Sequence, residues 1–349
     1  MEKYGFHCDY LEGCHPRLLE ALTKANTVQT IGYGEDEYCE KARKLIKERI
    51  GCPDADVHFL VGGTQTNLTV ISSILRPHQG VICVADGHIN VHETGSIEAC
   101  GHKVLAISPT SPNGTLTASD IDDFVSEHFS DSTHEHMVQP GMVYISFPTE
   151  NGEIYTKAQL SEIYGVCKRY SVPLFIDGAR LGYGLTSPEC DITIEELARL
   201  CDVFYIGGTK CGALFGEAVV ITNDALKKDF RYIIKQKGGM LAKGKLLGIQ
   251  FSELFKDDLY FDICREGVRK ALRIRDAFSA RGIPMCGTSP TNQQFPLLTK
   301  EQIEYLSESF GFEVWDSRGD KYRVRLCTSW ATTDNAIESL INAIDKMPM

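Results

Sequence analysis

Seven short apolar runs punctuate the first two thirds of the chain: VHFLVG at 57–62, GVICVA at 80–85, KVLAIS at 103–108, MVYISF at 142–147, PLFIDG at 173–178, VFYIGG at 203–208 and EAVVIT at 217–222. Each is rich in β-branched or aromatic residues and bounded by Gly, Pro, Asp or Ser. Short runs of that kind predict strands covered on both faces. The segments between them carry apolar residues at helical spacing, over Tyr38 to Ile50, Asn67 to Leu75 and Leu160 to Tyr170. Thr156 is the expected N-cap of the last, which sets Leu160, Ile163 and Val166 on one face. Strand–helix alternation predicts an α/β fold with right-handed crossovers, a mostly parallel sheet and ligands beyond the carboxyl ends of its strands. The runs at 203–208 and 217–222, joined through KCGALFG, are close enough to form a hairpin and add an antiparallel strand.

After about residue 250 the texture changes. A long charged helical stretch, FKDDLYFDICREGVRKALRIRDAFSARG, leads through Pro284 and Pro290 to short strand-like pieces, QQFPLL and YRVRLCTSW, and to an amphipathic helix near 333–346. The pattern predicts a large domain over 1–250, whose N-terminal segment can pack on the smaller one, and a smaller α+β domain over 251–349. No internal repeat is evident, and the polar stretch from His128 to Gln139 reads as a solvated loop.

Composition narrows this picture. At 349 residues and 43% hydrophobic content the chain buries a large core. A net charge of −11 with dispersed carboxylates argues against a nucleic-acid surface, which needs clustered cations. Thirteen cysteines, scattered and without a Cys-x-x-Cys pair, read as reduced thiols. The opening MEKYGFHCDYLEG holds no apolar core of a leader, and no apolar run is long enough to span a bilayer, so the expectation is a cytoplasmic protein.

Four expected strand ends carry unusual residues. GGTQTN at 62–67 leads into a helix, where Gly63 and Thr64 suit an anion cradle, although a plain strand–turn–helix junction would look the same. DGHINVHE at 86–93 sets His88 and His92 four apart beside Glu93, without the His-Glu-x-x-His pattern of a zinc helix. All ten histidines lie at or before His136, so a histidine base has to come from this portion. Asp177 closes one strand, with Arg180 three residues on, and Lys210 follows another in GTKCG. A partly buried lysine loses its proton more readily and attacks carbonyls.

One cofactor uses all of these parts. Pyridoxal phosphate needs a lysine for its aldehyde, a cradle for its phosphate and a carboxylate that keeps its ring nitrogen protonated. Lys210, Gly63 with Thr64, and Asp177 supply the three, with Arg180 near enough for the ring oxygen or a substrate carboxylate. The rivals are a non-catalytic phosphate- or nucleotide-binding module built on GGTQTN, and a metalloenzyme using His88, His92, His134 and His136, whose spacings match no strong ligand signature.

DGAR at 177–180, the lysine in GGTKCGALFG, GGTQTN, and YGED at 33–36 together resemble the threonine aldolase branch of the β-eliminating lyases, fold-type I pyridoxal-phosphate enzymes. The likeness runs from DYLEGCHPRLLEAL at 9–22 to RVRLCTSW near the C-terminus. It implies a mostly parallel seven-stranded sheet, with active sites at the interface of a homodimer or homotetramer. It also implies that Lys210 bonds the cofactor, Asp177 pairs with the ring nitrogen, Gly63 and Thr64 hold the phosphate, His88 stacks on the ring, and Thr209 belongs to the cofactor-binding set. Arg180 and Arg325 would hold the substrate carboxylate. The implied reaction splits L-threonine or L-allo-threonine into glycine and an aldehyde, with β-elimination or transamination as the near alternatives.

The chain departs from that pattern in three places. FPTENGEIY puts Glu150 where the better-known aldolases have an Asn-Thr-His-Asn segment. Cys8 stands in place of a serine, and KGGMLAKGK carries Leu241 in place of an arginine. The proton acceptor for the β-hydroxyl is therefore left between Glu150 and His88.

Overall fold

A computed structural model describes residues 3–348. The N-terminal segment forms a short strand, β1 (Tyr4–Gly5), and the seven apolar runs become β2 (Asp56–Leu60), β3 (Gln79–Val84), β4 (Lys103–Ile107), β5 (Gln139–Ser146), β6 (Leu174–Asp177), β7 (Val203–Gly207) and β8 (Glu217–Ile221). These seven form one sheet in the order β2-β8-β7-β6-β5-β3-β4. β8 is antiparallel to both β7 and β2, and the other pairs are parallel. The 203–208 and 217–222 runs are thus the expected hairpin. Because β8 is reversed, its first residue, Glu217, lies at the same edge as the carboxyl ends of its neighbours, opposite Gly207 and Leu60.

Alternation along each strand builds two cores. Ile82, Val143, Ile145, Ile176, Phe204, Ile206 and Val220 face one, with the helices Glu37–Ile50 and Lys157–Tyr170. Val81, Cys83, Tyr144, Phe175, Tyr205 and Val219 face the other, with the helix Gly63–Ile74. Period-two geometry therefore puts Asp177 on the face of Phe175, toward that helix. Thr156 caps its helix reciprocally with Gln159, as do Thr117 with Asp120, Thr193 with Glu196 and Thr299 with Gln302.

The C-terminal part forms a smaller antiparallel sheet from β9 (Gln293–Gln294), β10 (Leu297–Leu298), β12 (Glu313–Arg318) and β13 (Lys321–Cys327), while β11 (Phe310–Gly311) pairs with β1. Phe6, Ile274, Phe278, Val324, Leu326, Ile337 and Leu340 make its core. Residue 250 falls within the helix Lys245–Leu254. The chain passes from the larger core to the smaller inside the helix Leu259–Ala280, whose Leu259, Cys264 and Val268 belong to one and Ile274 and Phe278 to the other.

One expectation needs correction. His128 is not in a loop: it is buried on the last turn of the helix Ala118–Ser130, its ring 5.0 Å from that of Phe129 and 5.8 Å from that of His134. Polar composition masked a helix end there. All thirteen cysteines are free thiols. Among the described residues no helix is long and apolar enough to cross a membrane.

Candidate active site

The loops beyond the carboxyl edge of the sheet border an open recess lined by Gly63, His88, Ser146, Glu150, Asp177, Arg180, Tyr205 and Lys210 among others. Asp177 sits at its floor, 4% exposed. Its Oδ1 accepts from the Tyr205 hydroxyl at 2.5 Å and the Ala179 N–H at 3.0 Å. Its Oδ2 accepts from the Tyr144 hydroxyl at 2.6 Å and the Asn67 amide at 3.0 Å. Burial pushes this carboxyl up, but the nearby His88 charge and the two phenols outweigh it, and the net direction is down. Asp177 is held ionised. Close approach of β6 to β7 explains the glycine after it: a Cβ on Gly178 would stand 1.8 Å from the Tyr205 carbonyl oxygen.

Lys210 follows β7, and among the described residues no hydrogen bond or ion pair engages its ammonium group. Burial, reinforced by the charge of Arg180, pulls its pKa down. Beside it, Thr209 turns its hydroxyl away from the recess, donating to Glu217 Oε1 at 2.8 Å and accepting from the Gly216 N–H at 3.0 Å. Glu217 Oε2 takes the Gly208 N–H at 3.1 Å. Burial pushes this carboxyl, 3% exposed, up to about 8. It pins the two residues that precede Lys210.

His88 opens the helix His88–Val91 after β3, and its Nδ1 lies 2.7 Å from Glu93 Oε1. Asn67 donates to both Glu93, at 2.8 Å, and Asp177, so one amide links the histidine's partner to the floor acid. Burial pulls the imidazole down, but the Glu93 hydrogen bond and the Asp177 charge outweigh it, and the net direction is up. Glu150 Oε1 accepts from the His88 N–H and the Ser146 hydroxyl, each at 2.8 Å. Burial pushes the Glu150 carboxyl up, against the hydrogen bonds it accepts.

The two arginines are already engaged. Arg180 holds Asp9 with Nε at 2.7 Å and Nη2 at 2.9 Å, and Asp9, fully buried, also takes the Asn292 amide at 2.8 Å. Its Nε/Nη2 edge is therefore spent on Asp9, which leaves both Nη1 N–H groups and the second Nη2 N–H for a ligand. Arg325 contacts Glu313, Gln293 and the His7 carbonyl oxygen at the mouth.

Lys210, His88, Glu150, Asp177, Arg180 and Gly63 thus meet in one recess, while Arg325 borders a wider mouth that also touches Lys210, Arg180 and Glu150. Thr64 lies exposed on the first turn of the helix Gly63–Ile74, and the Thr209 hydroxyl is turned elsewhere. Tyr144, Tyr205, Asn67, Asp9 and Glu217 join the site with no motif in the sequence to mark them. The tyrosines were hidden inside strand runs, and their register against Asp177 is the missing signal.

This donor set fits pyridoxal phosphate. The helix Gly63–Ile74 has no side-chain cap and Gly62 before it is fully extended with open space at its Cα, so the first-turn N–H groups are free for an anion. An unpaired amine and an ionised acid complete the set.

Residues 9–282 match the family profile of the β-eliminating lyases. The threonine aldolase of Leishmania major is 44% identical, with a TM-score of 0.95 over 98% of this chain and 99% of that one. The low-specificity L-threonine aldolase of Pseudomonas aeruginosa is 25% identical over 97% of this chain and 96% of that protein. Its counterpart from another Pseudomonas strain is 29% identical over 72% and 71%.

Proposed function

The chain belongs to the β-eliminating lyase family, in its threonine aldolase branch, and on that premise we propose that it splits L-threonine and L-allo-threonine into glycine and acetaldehyde, with latitude on the aldehyde side. It is a pyridoxal-phosphate-dependent lyase. When bound, that cofactor supplies an aldehyde for an amino group and a ring that accepts the electron pair released at Cα. Lys210 is the residue that would hold it covalently, the first-turn N–H groups of Gly63 and Thr64 would cradle its phosphate, His88 would stack on its ring, and Asp177 would face the ring nitrogen. An ionised carboxylate offers about four acceptor sites, and at Asp177 all are taken, so Tyr144 or Tyr205 would have to yield or share an oxygen for Asp177 to serve a ring nitrogen.

The observation that carries this reading is the unpaired, mostly buried Lys210 amine in one recess with the ionised Asp177. Arg180 Nη1 and Arg325 hold the substrate carboxylate and so fix which bond at Cα breaks. Glu150 takes the proton from the β-hydroxyl. A cytoplasmic dimer or tetramer with active sites at subunit interfaces completes the proposal, and exposed Val28, Ile31, Tyr33 and Tyr232 are apolar surface available to a second copy.

Product analysis with either threonine isomer tests the reaction. Equal amounts of glycine and acetaldehyde are expected. An oxo acid with ammonia would make it a β-eliminating reaction instead, and amino transfer to an added oxo acid a transamination.

Glu150→Gln checks the base. The acceptor works only without its proton, and burial raises its pKa, so wild-type kcat should fall with decreasing pH through a limb shifted upward from that of a free glutamate. The Gln variant should lose about 10²–10⁴-fold in kcat and show no such limb. An unchanged limb would return the role to His88.

A further inference from the structure

At the mouth of the recess β12 and β13 place Glu313 directly opposite Arg325, and the two side chains form an ion pair. This rests on the reading of Arg325 as a binder of the substrate carboxylate. We propose that Glu313 is a built-in competitor: it occupies Arg325 in the free enzyme, and an incoming amino-acid carboxylate displaces it.

Three features separate this pair from a mere surface contact. The Arg325 side chain is 11% exposed and its Nε is buried without a partner, so the group can still take an acceptor. Arg325 also keeps its place without Glu313. Its Nη1 donates to Gln293 at 3.3 Å and its Nη2 to the His7 carbonyl oxygen at 3.1 Å. Its guanidinium lies 4.9 Å from the centre of the Trp315 ring, which Arg323 approaches equally closely. The register shift between Val314 and Asp316 leaves Trp315 as the unpaired residue of a bulge, a device that re-aims a side chain.

Glu313 is the loosely held partner. Its side chain is 41% exposed, and among the described residues its only other side-chain hydrogen bond is from the Trp315 indole at 3.1 Å. Leaving Arg325 for water costs Glu313 little on its own side, because its carboxylate already stands largely in solvent. The pair lines the same mouth as Lys210, Arg180, Glu150, Tyr10 and His92, so a ligand meets it on the way in. The consequence is weakened binding for any amino acid, and exclusion of those that carry a second carboxylate near this point.

The test is glycine binding to the holoenzyme, followed by visible absorption, in wild type, Glu313→Gln, Arg325→Gln and the double variant. Arg325→Gln should weaken glycine at least about tenfold. Glu313→Gln should tighten it about three- to tenfold, and lower KM for threonine equally with kcat unchanged. In the Arg325→Gln background the Glu313 change should do nothing. If Arg325→Gln weakens glycine but Glu313→Gln leaves affinity unchanged or reduces it, the competitor idea is wrong while the carboxylate reading stands. If Arg325→Gln has no effect, both fall.

Discussion

Lys210→Ala is expected to lower kcat for threonine cleavage by at least about 10⁴-fold, because it removes the nucleophile that bonds the cofactor. The recess contains no other amine, and among the described residues no hydrogen bond or ion pair engages this one, which stands 5.9 Å from the centre of the Tyr10 ring. That same isolation predicts an intact fold. A buried ammonium without a partner costs free energy, so its loss should leave the thermal midpoint of the apo-protein unchanged or raised. The pH dependence carries a sign as well. Burial holds the folded pKa of Lys210 below its unfolded value, so the unfolded chain binds more protons across that window and wild-type stability rises with pH there. The Ala variant should lack this rise. Thermal melts of the apo-protein between pH 7 and 10, with turnover assays alongside, check both halves.

Asp177→Asn should reduce kcat by about 10²–10³-fold while leaving the cofactor bound. Its carboxylate is the negative charge at the floor of the recess, kept ionised by Tyr144, Tyr205, Asn67 and the Ala179 N–H. Asn presents an N–H₂ group to donors that need an acceptor. The variant should therefore also lose about 1–3 kcal/mol of stability, the usual cost of unsatisfied buried groups. With a folded pKa below its unfolded value, the stabilisation from Asp177 is present above the unfolded pKa and disappears as pH falls through the folded one. The variant's melting midpoint should accordingly be less sensitive to acid. Near-normal turnover would mean that some other group keeps the ring protonated.

Much of this site was legible in the sequence because its parts sit at strand ends. DGAR, GTKCG and GGTQTN each follow an apolar run, and the sheet gathers such ends along one edge. The hairpin through β7 and β8 was legible for the same reason: eight residues lie between the two runs, too few for a helical crossover. What stayed hidden depends on register and on distant parts of the chain. Nothing in MVYISF or VFYIGG says that their tyrosines flank Asp177, because that follows only once Tyr144 is known to pair with Phe175 across β5 and β6. Asp9 lies 171 residues from Arg180, and its carboxylate fixes how much of that arginine is left for a ligand. Glu217 read as the first letter of a strand, yet the reversal of β8 brings it to the loop that carries Lys210. The polar run after His128 misled in the opposite sense, since a buried imidazole and a helix end share the composition of a loop.

Borohydride reduction of the holoenzyme, followed by proteolysis and mass mapping, tests the central claim most directly. A single peptide carrying the mass of the reduced cofactor on Lys210 is the predicted result. The label on another lysine, or no label in protein saturated with pyridoxal phosphate, would contradict the account.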